Sequence, residues 1–482
     1  MSGLSRVREV LFGAGYTVGG VRELLGDVAG GALARDEIVP AMRATRGGSP
    51  VEVLTRLFWL QVPVPVGAVP ASAIEPDALV ASGLAEVSGG ELRALLRVEP
   101  VEGVAGEGHV GYVVSDLKHR PGAGVPADDH VLGAGGASGN LARLVVHRAV
   151  DNVLDLGTGC GVQAVHLAAR NPSARVTATD VNPRALELAA MSFELSGVAG
   201  AELLQGPLLE PVRGRRFDLI VSNPPFVVAP GGRRFTYRES GMAGDDFCRS
   251  LVREAPAYLN DGGYCQLLAN WLHIDGVPWE ERVGAWVDGC DAWIVQRDVQ
   301  DPAEYAELWL RDSCEAGTPG YRSRYEEWLD FFERQGVTGI GFGWITLRRS
   351  ERPAVRVEEL RHAVEEPVGA YVDDVLDGFR KGAEFSTGCG QVLAAADGLV
   401  QEQVGPPGAE DPERIVLRQT GRLRRAAGVG TVEAGLAGVC DGTLPPEPLL
   451  DAIAQLTGME PGQVRAHADV VLPELIADGF FS

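Results

Sequence analysis

Three short stretches of this sequence combine residue types that could do chemistry. The first is 153–161, VLDLGTGCG, where an apolar run ends on Asp155 and glycines follow at alternate positions: Gly157, Gly159 and Gly161, with Thr158 between the first two. Glycine accepts a tight turn and lets a ligand approach the backbone closely. A helix starting next offers free N–H groups to a carboxylate. A dinucleotide loop places its third small residue one position later, where this chain has Val162. The spacing therefore points to another nucleoside ligand. The second stretch is Asp180, 25 residues beyond Asp155, followed by Val181 and Asn182. A carboxylate there can accept both ribose hydroxyls, with the next two residues flanking the base. The third is 220–226, IVSNPPF. The side-chain oxygen of Asn223 and the carbonyl of Pro224 are both hydrogen-bond acceptors. Pro224 and Pro225 stiffen the loop, and Phe226 offers a flat aromatic face.

Positioning these residues takes alternating elements. Apolar runs at 152–156, 175–179, 217–222 and 264–269 read as strands, and 162–170, 183–196 and 247–259 as helices. Asn182 is placed to cap the second helix, with Pro183 at its first position. Asp261-Gly262-Gly263 marks a turn, and 292–297 and 341–348 read as later strands with helices between them. Such alternation predicts an α/β doubly wound, Rossmann-like core with a mostly parallel sheet.

The stretch from Asp155 to Gly161, Asp180 and Asn223-Pro224-Pro225-Phe226, in this order, resembles the class I methyltransferases of the N-P-P-[FY] type. That group includes glutamine methyltransferases of release factors and ribosomal proteins, and adenine N6 and guanine N2 methyltransferases. The resemblance covers roughly residues 125–270. It implies S-adenosylmethionine as donor, held by Asp155, Gly157, Thr158, Gly159, Gly161, Asp180, Val181, Asn182, Pro207, Leu208 and Asn223. It implies Asn223, Pro224, Pro225 and Phe226 as the acceptor residues. An amide or aniline-like nitrogen is a poor nucleophile, and its proton can leave after transfer. Orientation and electrostatics would carry the rate, without a strong general base.

The match has departures. Where many relatives place an acidic residue against adenine, this chain has Gln205-Gly206-Pro207-Leu208, and HVLGAGGASG at 130–139 replaces a proline-arginine element of the glutamine group. That segment lacks the lysine and spacing of a phosphate loop, and shaping of the acceptor pocket is the expectation for it. The stretch 237–246, YRESGMAGDD, reads either as a lid or as a solvated loop.

Around the core, 1–100 reads as a winged-helix-like domain: helices at 51–60 and 78–83, a turn at Ser88-Gly89-Gly90 and a strand at 91–98. The methyltransferase domain spans 101–350. A C-terminal, mostly helical accessory domain spans 351–482, with a strand pair at 398–404 and 414–419 across Pro406-Pro407-Gly408, and helices at 448–456 and 462–478. Its ADGFF at 477–481 echoes ASGLA at 81–85, so it is either a second winged-helix-like module or a common helix-glycine ending.

The chain has 482 residues and a net charge of −23, with Lys118 and Lys381 as its only lysines. That balance disfavours broad attraction to nucleic acid and favours a protein acceptor. The dense basic run at Arg414, Arg418, Arg422, Arg424 and Arg425 pulls toward RNA or DNA unless it is a solvated face. Three readings follow: methylation of a glutamine amide in a translation protein, methylation of an exocyclic amine in RNA or DNA, or non-catalytic binding of S-adenosylmethionine. Seven scattered cysteines without a C-x-x-C pair argue against a disulfide framework and structural zinc, and His109, His119 and His130 lack ligand spacing. No metal is expected. The longest apolar runs are too short to span a bilayer and the N-terminus lacks an apolar signal core. A cytoplasmic location without membrane association is the expectation.

Overall fold

The computed structural model describes residues 3–68, 76–104, 106–119, 126–231, 242–312, 318–407 and 412–482. At its centre is an eight-stranded sheet: β1 (Asn152–Leu156), β2 (Arg175–Asp180), β3 (Glu202–Gln205), β4 (Phe217–Ser222), β5 (Leu259–Ile274), β6 (Cys290–Gln300), β7 (Val337–Arg349) and β8 (Val355–Glu359). Their spatial order is 8-6-7-5-4-1-2-3. All neighbouring pairs are parallel except those of β7, which runs against β5 and β6. The interior strands β1 and β4 are buried along nearly their whole length, which is why they read as continuous apolar runs. The helices α1 (Gly136–Leu144), α2 (Val162–Arg170), α3 (Pro183–Ser196) and α4 (Asp246–Glu254) complete the alternating core. Asn182 caps α3 through its side chain, which accepts the N–H of Arg184 at 3.0 Å.

From β1 the chain proceeds outward to one side through β2 and β3, then returns to place β4 on β1's other flank. The strand order therefore reverses between β1 and β4. In open α/β sheets ligands bind beyond the carboxyl ends of strands at such a reversal.

Three expected elements differ. The helix expected at 247–259 ends at Glu254, and β5 begins at Leu259 and takes in the turn expected at Asp261-Gly262-Gly263. The strand expected at 91–98 is two strands in different sheets. Glu91–Ala94 pairs with Ala85–Ser88 and Val64–Pro65, whereas Arg97–Glu102 pairs with His109–Ser115, which lies against α3. Alternation marks a strand but not its partner, and the break at Leu95-Leu96 is invisible to it. The strand expected at 264–269 extends to Ile274, because β7 continues to pair with it through Trp271 and His273.

Ahead of the core, helices lead into a three-stranded antiparallel sheet whose hairpin turns on Gly89 and Gly90, both at positive φ. This pair of conformations suits a tight hairpin and favours glycine. The N-terminal helices share a core cluster with β1, α2 and α3, and the Tyr16 hydroxyl donates to the Val98 carbonyl at 2.8 Å. Beyond β8, a three-stranded sheet of Leu399–Val404, Arg414–Gln419 and Ala426–Val429 joins three helices, Thr431–Val439, Pro446–Thr457 and Pro461–Ala477, around a cluster of their own. Phe481 forms a single bridge to Ala395. Among the described residues no helix is long and apolar enough to cross a membrane.

Candidate active site

A cavity of about 330 Å³ opens at the carboxyl ends of β1, β2 and β4. Its floor is the glycine loop. Gly157, Gly159 and Gly161 all have positive φ, and a Cβ on Gly161 would lie 2.8 Å from the ring of Phe193. Glycine is needed there twice over, for conformation and for space. The amides of Gly157 and Thr158 both donate to the Thr179 carbonyl at 2.9 Å, stitching the loop to β2. Asp180 ends β2 with one carboxylate oxygen accepting from the Gly159 amide and the other from the Asn182 amide, each at 2.9 Å. Opposite, Pro207 and Leu208 line the cavity. Leu208 sits at φ 48, a left-handed conformation that costs a branched side chain energy and often marks a ligand clamp.

At the far end, β4 delivers Asn223, Pro224 and Pro225 to the cavity wall. The Ser222 hydroxyl donates to the Leu156 carbonyl at 2.8 Å, tying β4 to β1 where the strand order reverses. Asn223 Oδ1 is buried with no hydrogen-bond partner among the described residues. An unpaired buried carbonyl oxygen costs on the order of 1–3 kcal/mol, a cost that an incoming N–H donor would remove.

The remaining wall is the segment 130–138, which runs into the first turn of α1. The hairpin of Arg97–Glu102 and His109–Ser115 holds it. Asp116, just past the hairpin, accepts the Val131 amide at 2.9 Å and is paired with Arg184, which keeps its carboxyl below the usual range despite burial. Glu99 accepts the Ala134 amide at 3.1 Å and pairs with Arg97 at 2.9 Å; burial nevertheless raises its pKa. A Cβ on Gly133 would lie 1.9 Å from a Glu99 oxygen, which accounts for the glycine without a phosphate.

Comparison with known proteins agrees with this arrangement. Residues 136–274, the stretch that forms the loop, the strand reversal and the Asn223 wall, match the family described as Methyltransferase small domain. The chain is 42% identical over 142 residues to the release factor glutamine methyltransferase of Geobacter sulfurreducens, covering 27% of this chain and 47% of that protein. It is 32% identical over 181 residues to the ribosomal protein uL3 glutamine methyltransferase of Bradyrhizobium diazoefficiens, covering 34% and 57%. It is also 36% identical over 119 residues to the ribosomal RNA small subunit methyltransferase C of Salmonella choleraesuis, covering 24% and 31%. The chain thus spans about half or less of the length of these relatives. Residues 13–95 match a family described as Domain of unknown function (DUF7059).

Within the matched stretch the structure brings Gly157, Thr158, Gly159, Asp180, Val181, Asn182, Pro207, Leu208, Asn223, Pro224 and Pro225 onto one cavity. Three expected residues lie elsewhere. Asp155 is 1% exposed and turned inward, accepting from the Thr158 hydroxyl at 2.6 Å and the Ala164 amide at 3.0 Å. It braces loop and helix from behind, and burial lifts its pKa to about 6 against those two hydrogen bonds. Gly161 caps α2 beneath the lining. Phe226 meets Trp309 edge to face at 6.1 Å instead of facing the cavity. Of the stretch 237–246, residues 237–241 lie outside the described residues; Met242 lines the cavity, and Asp245 is buried, accepting the Leu272 amide at 2.8 Å and both Arg282 nitrogens at 2.7 Å.

Lining residues without a sequence signal are Gln163, Thr179, Ser222 and Phe247. Their types are ordinary for a helix start or strand end, and only the fold places them here. The basic run is divided: Arg425 is buried and forks onto Glu358, whereas Arg414, Arg418, Arg422 and Arg424 are exposed, with Arg418 paired to Glu402 and Arg422 to Asp374.

Proposed function

We propose that this chain is an S-adenosylmethionine-dependent methyltransferase acting on a planar nitrogen of a macromolecule, in first place a glutamine side-chain amide of a translation protein. The observation that carries the reading is the buried, unpartnered Asn223 oxygen at the end of a cavity whose other end is a glycine loop bonded to Asp180. The residues present suit the donor. Asp180 would take its ribose hydroxyls, Val181 and Asn182 with Pro207 and Leu208 would enclose its adenine, and the first turn of α2 would face its carboxylate. The bound donor supplies an electrophilic methyl group on a sulfonium centre. Asn223 Oδ1 and the Pro224 carbonyl would each accept one N–H of the acceptor, pinning the nitrogen and favouring the positive charge that builds on it in the transition state. The flanks, with boundaries near 100 and 350, would present the acceptor, and the N-terminal one is winged-helix-like in its helix-then-hairpin order.

A base amine of RNA or DNA is the second reading, supported by the similarity to a ribosomal RNA methyltransferase. Net charge of −23 and the ion pairs that hold Arg418, Arg422 and Arg425 of the arginine run weigh against it. The test is transfer of labelled methyl from S-adenosylmethionine to ribosomes and release factors purified from a strain lacking this chain. Label on a glutamine side chain in the protein fraction, with a shallow dependence on salt, is expected. Label in RNA with a steep salt slope would replace the first reading with the second. Binding of S-adenosylmethionine with no label in either fraction, nor in DNA, would leave a non-catalytic binding protein.

A further inference from the structure

The acceptor loop is held at its start by the sheet and at its end by something the Asn-Pro-Pro-Phe motif does not contain. Between β6 and β7 the chain inserts two helices, α5 (Pro302–Asp312) and α6 (Tyr321–Arg334). Tyr305, on α5, is fully buried, and its hydroxyl oxygen accepts the backbone N–H of Val228 and the Nδ2 of Asn270, both at 2.9 Å. One turn further along the same helix, Trp309 takes the edge of Phe226 at 6.1 Å. Val227, Val228 and Ala229 are buried in one cluster with Tyr305 and Trp328.

We propose that Tyr305 is a positioning residue for methyl transfer: it fixes the outgoing end of the 223–229 loop and thereby sets where the Asn223 oxygen and the Pro224 carbonyl point. This inference rests on the acceptor role given to Asn223 above. At the incoming end, Ser222 lies in the ladder with Leu156 and Leu267 and bonds the Leu156 carbonyl. At the outgoing end, Val228 and Phe226 are fixed by α5. Only Asn223, Pro224 and Pro225 lie between these two anchors, and the proline rings restrict two of those three residues. Removing one anchor therefore moves the acceptor groups rather than merely loosening a surface turn. The hydroxyl suits the task, since a single oxygen takes the loop amide and the β5 side chain together. Burial pushes its pKa far above the ordinary tyrosine value, so the anchor stays neutral at any working pH.

The test compares Tyr305→Phe, Trp328→Phe, Asn223→Ala and the wild-type chain, with ribosomes and release factors from a strain lacking this chain as acceptor. Trp328 packs on the Tyr305 ring from α6 at 6.2 Å and serves as the packing control. Tyr305→Phe keeps the ring and should lower single-turnover methyl transfer by about ten- to hundred-fold, the size expected when a reacting group is misplaced by a fraction of its contact distance. Donor affinity should be unchanged, as should the pH profile of transfer. Amide hydrogen exchange at Val228 should accelerate by about tenfold or more as its local protection is lost, while the Gly159 amide at the donor end keeps its rate. Trp328→Phe should lower the thermal midpoint and leave transfer near wild type. Wild-type transfer by Tyr305→Phe, or a loss that Trp328→Phe matches at equal stability, would overturn the inference. If Asn223→Ala transfers methyl as wild type does, or the wild-type chain transfers none, the acceptor assignment falls and this inference with it. A large loss in Asn223→Ala beside an active Tyr305→Phe would overturn the anchor alone.

Discussion

At the proposed donor end of the cavity, nearly every polar group the sequence motifs supply is bonded within the protein. Asp180 bridges two amides, Thr179 receives two, and Asp155 ties loop to helix from behind. At the proposed acceptor end, Asn223 keeps a buried oxygen with no partner among the described residues, on a loop that is anchored at both ends. The two ends share one cavity but answer to different demands. A donor site is used in the same form in every cycle, so a rigid, self-bonded frame costs nothing in function. An acceptor site must stabilise charge that exists only in the transition state, and a preorganised, unpaired acceptor oxygen does that without reorganisation.

Mutation at each end should break this comparison in a different observable. The largest effect is expected at Asn223. Asn223→Ala should reduce single-turnover methyl transfer by about 10²–10³, the loss of one preorganised electrostatic contact. Its affinity for S-adenosylmethionine should stay near wild type, as read by a binding isotherm on the same preparation. At the donor end the pattern reverses. Asp180→Ala should weaken S-adenosylmethionine by about 1.5–3 kcal/mol through lost charge-assisted bonds, and saturating donor should restore much of the turnover. An Asn223→Ala loss that appears in donor affinity, or an Asp180→Ala loss that saturation cannot rescue, would mean the two ends are not separable.

The smallest effect sharpens what braces the donor end. Asp155 has a folded pKa near 6, above the ordinary value of 3.8 from which burial raises it. The folded state therefore binds this proton more tightly than the unfolded state does. Its contribution to stability is greatest below about pH 4 and declines as pH rises through 6. Asp155→Asn, which removes the titration, should flatten the fall of thermal midpoint across that window. An identical slope in the variant would show that Asp155 does not titrate there.

What could be read from sequence follows the same division. The loop, Asp180 and the asparagine-proline turn were legible because each follows a buried parallel strand whose apolar run fixes its end. β1, β4, α2 and α3 accordingly fall within a residue of the expected bounds. Asp155 stands in the right place, yet its inward turn was not legible. A carboxylate at a strand end reads alike whether it faces a ligand or a helix amide. Phe226 was assigned to the acceptor, but its ring is taken up by Trp309, whose position depends on an insertion 76 residues downstream. The wall at 130–138 gave a hint through its glycines, and the reason for Gly133 is Glu99 on a hairpin whose pairing periodicity could not assign. The arginine run read as a surface, while Arg425 is buried on Glu358 of β8. Local pattern sees the frame of the donor site; tertiary anchors complete the acceptor site.

Calorimetric titration of the purified chain with S-adenosylmethionine tests the account most directly. One equivalent should bind, S-adenosylhomocysteine should compete for the same site, NAD should not, and Asp180→Ala should shift the isotherm to weaker binding while Asn223→Ala should not. Absence of S-adenosylmethionine binding, tighter binding of NAD, or an isotherm indifferent to Asp180 would contradict it.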